Sequence, residues 1–141
     1  MDIRVKKLEA NATMPTFAKE DDAGADLYAC EDAILEVGES KKVKTGIAMA
    51  IPKGYVGLIW DKSGIASEFG VHTMGGVIDS GYRGEIQIIM KHLGDKPVKI
   101  AAGTKVAQIL FQKIEAVSFQ EVEDLDQTER GIDGFGSTGD L

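Results

Sequence analysis

Gly75-Gly76-Val77-Ile78-Asp79-Ser80-Gly81-Tyr82-Arg83-Gly84-Glu85, followed by Ile86-Gln87-Ile88-Ile89-Met90, reads as strand, tight turn, strand. Asp-Ser-Gly is turn chemistry: the short polar side chains bond nearby backbone, and glycine turns at no steric cost. The apolar run after the turn suits a strand covered on both faces. A second such run is Tyr55–Trp60, set off by Pro52-Lys53-Gly54. Further strands are expected over 3–8, 25–30, 33–37, 41–51, 71–78, 84–92, 98–101, 105–114 and 117–122. Alternation marks Lys42-Val43-Lys44 and Val117-Ser118-Phe119-Gln120, while Glu39-Ser40, Gly94-Asp95 and Ala102-Gly103-Thr104 mark breaks. The only helical candidate is a turn or two over 63–68. Short strands joined by turns at this spacing imply an all-β sandwich or jelly roll, not an α/β fold.

The 141 residues suffice for a single domain with its own core, and 17 glycines agree with a turn-rich chain. Net charge is −7, which argues against a protein that wraps nucleic acid through many phosphate contacts. The acid excess is local: Glu115, Glu121, Glu123, Asp124, Asp126 and Glu129 crowd one stretch with no base. Cys30 is the only cysteine, which excludes an internal disulfide and a cysteine-based zinc site. It reads as a small buried hydrophobe. No apolar run approaches membrane-spanning length, and Asp2, Arg4, Lys6 and Lys7 stand where a signal peptide is apolar. The expectation is a soluble, cytoplasmic protein with no membrane and no direct nucleic-acid partner. Residues 1–122 form the expected β body; 123–141 form an acidic connector and a glycine-rich arm of the same domain.

Several short constellations offer chemistry. Asp79 is a turn-former by local pattern, or a carboxylate at a strand end able to take a proton from water. Tyr82 suits either a core or a sugar platform. Asp61-Lys62-Ser63-Gly64 follows an apolar strand; Asp61 or Ser63 could simply cap a helix, or the segment could meet an anion. Asp22-Ala23-Gly24-Ala25-Asp26-Leu27 carries two acids into a strand, as solvated turn residues or as a water-mediated Mg²⁺ site. Gln108 is a strand amide that needs partners if buried. The arm's Gly134-x-Gly136-x-x-Gly139 matches a dinucleotide fingerprint only formally, because no strand precedes it and no helix can follow. Its successive glycines can still form an anion nest, with Ser137, Thr138, Arg130 and Phe135 beside it. A plain disordered tail is the other reading.

Taken together and in order, the chain resembles the trimeric dUTPases. Its five matching motifs are Asp22-Ala-Gly-Ala-Asp-Leu-Tyr, Lys62-Ser-Gly, Gly76-Val-Ile-Asp-Ser-Gly-Tyr-Arg-Gly-Glu, Gly103-Thr-Lys-Val-Ala-Gln and Arg130-Gly-Ile-Asp-Gly-Phe-Gly-Ser-Thr-Gly. The resemblance implies a jelly roll of the β-clip, dUTPase-like type, assembled as a homotrimer whose sites lie between subunits. It implies Mg²⁺-dependent hydrolysis of dUTP to dUMP and pyrophosphate, which keeps uracil out of DNA and supplies dUMP. Asp79 would activate the water that attacks the α-phosphorus, and Tyr82 would lie beneath the deoxyribose. The hairpin from Thr73 to Gln87 would read uracil through main-chain groups, including those of Val77, Ile78 and Gln87. Lys62, Ser63, Gly64 and Gln108 would contact phosphates, and Asp26 would reach the metal through water. Phe135 would stack on uracil, with Arg130, Gly136, Ser137 and Thr138 closing on the phosphates.

Three positions in two motifs depart from the family pattern. Asp61-Lys62 stands where Pro-Arg is usual, so a point charge replaces a bidentate fork. Asp133 stands where glycine is common, a position at which Asp tolerates a left-handed backbone. The alternatives are a dCTP deaminase-related enzyme and a non-catalytic jelly-roll binding or regulatory module. The deaminase needs a further acid along the hairpin, and residues 86–90 contain none.

Overall fold

Two bends each split one of the ten expected strands and one expected strand does not form, which leaves eleven among the described residues. The computed structural model describes residues 1–137 and residue 139. Its elements are β1 (Arg4–Lys7), β2 (Ala25–Tyr28), β3 (Ala33–Leu35), β4 (Ser40–Lys44), β5 (Ile47–Ala50), β6 (Tyr55–Trp60), α1 (Ser63–Phe69), β7 (Val71–Met74), β8 (Val77–Ile78), β9 (Gln87–His92), β10 (Val98–Ile100) and β11 (Lys105–Lys113). The expected strand over 41–51 breaks at Thr45-Gly46, where Gly46 has φ +70° and a Cβ would press on Ala12 and Cys30. The Thr45 hydroxyl donates to the Ile86 carbonyl there, so the chain leaves β9 after β4 and pairs with β1 as β5. The expected strand over 71–78 breaks at Gly75-Gly76. A side chain at Gly76 would lie 2.4 Å from the Ile59 carbonyl oxygen, an approach only glycine permits.

All strand pairings are antiparallel. The larger sheets run β2-β11-β6-β8 and β4-β9-β7, flanked by the pairs β1-β5 and β10-β3. Because β7 belongs to one sheet and β8 to the other, the glycine bend is the corner between them. This strand-switching corner is how the all-β, jelly-roll-like fold closes. Alternation in β9 sends Ile88, Met90 and His92 inward, against Val43, Thr73 and Val71 across the sheet. Leu27, Leu35, Ile47, Ile86 and Ile109 complete a fully buried core. Cys30, 5% exposed, sits at its edge as a buried free thiol, which burial pushes above its ordinary pKa.

The alternating segment 117–122 is not a strand. Phe119 is 97% exposed, and no segment of the described residues lies beside it to pair. No helix among the described residues is long and apolar enough to cross a membrane.

Candidate active site

The hairpin builds one wall of a cleft. β8 and the turn after it bring Val77, Ile78, Asp79 and Tyr82 together with Gln87, Lys42, Glu85 and Ile89 around about 360 Å³. Tyr82 is fixed by two features: its hydroxyl donates to the Glu85 carbonyl at 2.8 Å, and its ring folds over Gly84. Glu85 is held in turn by the Gly46 N–H at 2.9 Å. Asp79 is exposed on the cleft wall, and its carbonyl closes the turn by accepting the Tyr82 N–H at 3.1 Å. Thr73 does not line this cleft. Its side chain points inward, 8% exposed, and its hydroxyl is committed to Asp61.

A second group forms where three strands run side by side. Register places Asp26 of β2, Gln108 of β11 and Trp60 of β6 in one row. Asp26 is 2% exposed, a burial a carboxylate tolerates only with charge partners. It has two: Lys62 donates to Oδ1 at 2.5 Å, and Lys105 lies 3.0 Å from Oδ2. The second contact is a charge pair outside hydrogen-bond geometry, so Oδ2 is a buried acceptor with no donor among the described residues. Burial pushes the Asp26 pKa up, but the two lysine charges beside the carboxylate outweigh it and hold the pKa below the ordinary 3.8. Ser63 and Gly64 stand exposed at the start of α1. Neither Asp61 nor Ser63 caps that helix: its N-cap is Lys62, with no side-chain cap bond.

Asp61 turns away from Lys62 altogether. Its Oδ1 accepts the Thr73 N–H and hydroxyl, each at 2.6 Å, and its Oδ2 pairs with His72 Nδ1 at 2.6 Å. Its backbone carbonyl accepts Gln108 Nε2 at 2.8 Å. Here too burial raises the pKa and is outweighed, by the bonds from Thr73 and His72, leaving the carboxyl below 3.8.

Among the described residues, the arm's hydrogen bonds run only within the arm. Arg130 Nε donates to the Asp133 carbonyl at 2.8 Å, and Ser137 N–H to the Gly134 carbonyl at 3.0 Å. Phe135 is fully exposed with φ +51°, a left-handed conformation unusual for a bulky side chain. Gly131 and Gly136 share the left-handed region, whereas Asp133 does not, so the residue in glycine's usual place carries no such demand. Thr138 lies outside the described residues.

The body therefore assembles two groups, the hairpin cleft and the Asp26–Lys62–Gln108 row, with a carboxylate strut between them. The dUTPase family model matches residues 10–139, so it spans both groups and the arm. The chain belongs to the dUTPase family. A curated relative from Corynebacterium glutamicum, named deoxyuridine 5′-triphosphate nucleotidohydrolase, is 44% identical over 97% of this chain and 94% of its own. One of the same name from Orientia tsutsugamushi is 41% identical over 99% of both. Among solved structures, a mutant Staphylococcus bacteriophage 80alpha dUTPase with dUpNHpp superposes at TM-score 0.93, with 30% identity and 98% of each chain covered. A mutant dUTPase from phage phi11, whose description concerns a structural Mg(II) ion, superposes at 0.83 with 29% identity, over 90% of this chain and all of its own.

For a dUTPase-family chain, sequence reasoning missed Lys42, Glu85 and Ile89 in the cleft and Lys105 beside Asp26. The signal for Lys42 and Ile89 was alternation: register pairs them directly on the outer face of β4 and β9. Lys105 lies within the motif Gly103-Thr-Lys-Val-Ala-Gln, but only the fold of β11 against β2 shows that it meets Asp26.

Proposed function

We propose that this chain hydrolyses dUTP to dUMP and pyrophosphate at a site built from the hairpin cleft, the Asp26–Lys62–Gln108 row and the arm. The observation that carries this reading is the cleft itself, in which Val77, Ile78, Asp79, Tyr82 and Gln87 converge in a chain matched by dUTPases over nearly its whole length. Asp79 takes the proton of the attacking water; the water oxygen bonds to the α-phosphorus, and the bond to the departing pyrophosphate breaks. Main-chain groups of Val77, Ile78 and Gln87 read uracil. Tyr82, locked by Glu85, supports the deoxyribose and leaves no space for a 2′-hydroxyl.

Lys62, Ser63, Gly64 and Gln108 hold phosphate oxygens, which requires Lys62 to exchange Asp26 for substrate. Phosphoryl transfer asks mainly for such positioning and charge neutralisation. Asp26 fits an outer-sphere role toward Mg²⁺, since Oδ2 is a buried acceptor with no hydrogen-bond donor among the described residues and a metal-bound water would supply one. Bound there with the triphosphate, the cation would neutralise phosphate charge. Phe135 then covers uracil, while Arg130, Gly136, Ser137 and Thr138 close on the outer phosphates.

The working unit is a homotrimer. Leu58, Trp60, Val77 and Leu110 form an apolar outer face on β6, β8 and β11, with Trp60 56% and Val77 65% exposed, as expected of a surface another copy covers. In one chain, none of Asp26, Lys62, Ser63 and Gln108 lines the hairpin cleft.

The test is pyrophosphate release with Mg²⁺ from dUTP, dCTP, dTTP and UTP. Release from dUTP alone is expected. Ammonia release from dCTP would favour the deaminase reading, and silence on every nucleotide would favour a binding module.

A further inference from the structure

We propose that Asp61 is a positioning residue that anchors the phosphate-side loop 62–64 to β7 of its own chain. The inference rests on the reading of that loop as a phosphate contact. β6 ends at Trp60 and α1 begins at Ser63, so Asp61 and Lys62 alone bridge them. The ladder between β6 and the hairpin stops at the Ile59 N–H to Gly76 carbonyl bond, 2.8 Å. Beyond it the two chains diverge, and the Asp61 carboxylate spans the gap. Oδ1 receives the Thr73 N–H as a strand carbonyl would, and also its hydroxyl, while Oδ2 takes His72.

The anchoring side is rigid. Thr73 pairs with Met90 on the far edge of β7 and is 8% exposed. The other side is the loop, whose carbonyl end is tied by Gln108 and whose next residue reaches Asp26. Asp61 is thus the side chain through which the hairpin sheet grips the start of the phosphate loop. The usual family pattern has proline here, whose side chain cannot accept a hydrogen bond, so Asp61 adds a tie which that pattern lacks. Despite its partial burial Asp61 stays a carboxylate at neutral pH, its pKa held below 3.8 by the Thr73 and His72 bonds, so both oxygens serve as acceptors.

The experiment measures binding of α,β-imido-dUTP and of 2′-deoxyuridine, with Mg²⁺, to the full chain. Asp61→Ala should weaken imido-dUTP roughly tenfold, the scale of losing hydrogen bonds to a charged acceptor, and leave the nucleoside within about twofold. Asp61→Asn keeps Oδ1 for Thr73 and can donate to His72 in its other tautomer, so it should restore imido-dUTP binding to within about threefold. Equal weakening of both ligands, or of neither, in Asp61→Ala would overturn the inference. Should Asp61→Ala fail to fold, Thr73→Val removes one bond, and a selective loss of about threefold is expected under the same criterion. Ser63→Ala separates the layers. If it weakens imido-dUTP while Asp61→Ala does not, only the role of Asp61 falls; if it has no effect, the phosphate-loop reading fails and takes this inference with it.

Discussion

Three aspartates show how one side chain serves different ends in different surroundings. Asp26 is buried and neutralised, Asp61 is a strut, and Asp79 stands exposed on the cleft wall. Asp79→Asn preserves size and removes the proton acceptor, so dUTP binding should persist while turnover falls roughly 10²–10⁴-fold. Parental turnover in that variant would remove Asp79 from the reaction. Asp26 and Asp61 carry a pH consequence. Each has its folded pKa held below 3.8, so each adds stability that is present above its unfolded value and is lost as pH falls through the lower folded value. Urea midpoints should therefore drop on acidification below about pH 4, and Asp26→Asn should flatten that limb. An unchanged acid limb in the variant would contradict this. Of these three roles, local sequence carried only a choice between turn and chemistry for Asp79. The partners of Asp26 and Asp61 were invisible, because Lys62 lies 36 residues from Asp26 and Thr73 lies 12 from Asp61.

At the scale of elements, the strands followed from apolar runs and turn residues, and Tyr55–Trp60 matches to the residue. What the pattern could not reveal was that two of its runs bend. Alternation continues across Gly46 and across Gly75-Gly76 whether or not the chain changes sheets, and only the packing partners decide. Gly76→Ala is the direct check. Its methyl would meet the Ile59 carbonyl at 2.4 Å, in the corner that also carries the hairpin proposed to read uracil. A loss of about 1–3 kcal/mol in unfolding free energy is expected, with the Ile59–Gly76 bond broken. A variant as stable as the parent would mean that the corner has more slack than its geometry allows. The run over 117–122 failed as a strand for a different reason: alternation is half a contract, and a strand needs a neighbour.

The whole molecule divides into a body whose parts brace one another and an arm whose described residues hydrogen-bond only among themselves. Truncation before Arg130 should leave the assembly state unchanged by light scattering while reducing dUTP turnover by about 10²-fold or more, the scale of a lost closing and positioning element. Dissociation into monomers would show that the arm is structural. The motifs made the family legible, because each is short and local. The site's division into two groups was not legible, since motif order along a chain says nothing about which wall each motif joins.

One further property follows from Cys30. It is the chain's only thiol, buried where the backbone before β3 bonds to Lys44 and Asn11, with its pKa pushed up by burial. Only the thiolate attacks disulfide or maleimide reagents, so the folded body should be nearly inert to them. Each labelling event then counts an opening of the core, and the whole protein carries a single built-in clock for its own unfolding.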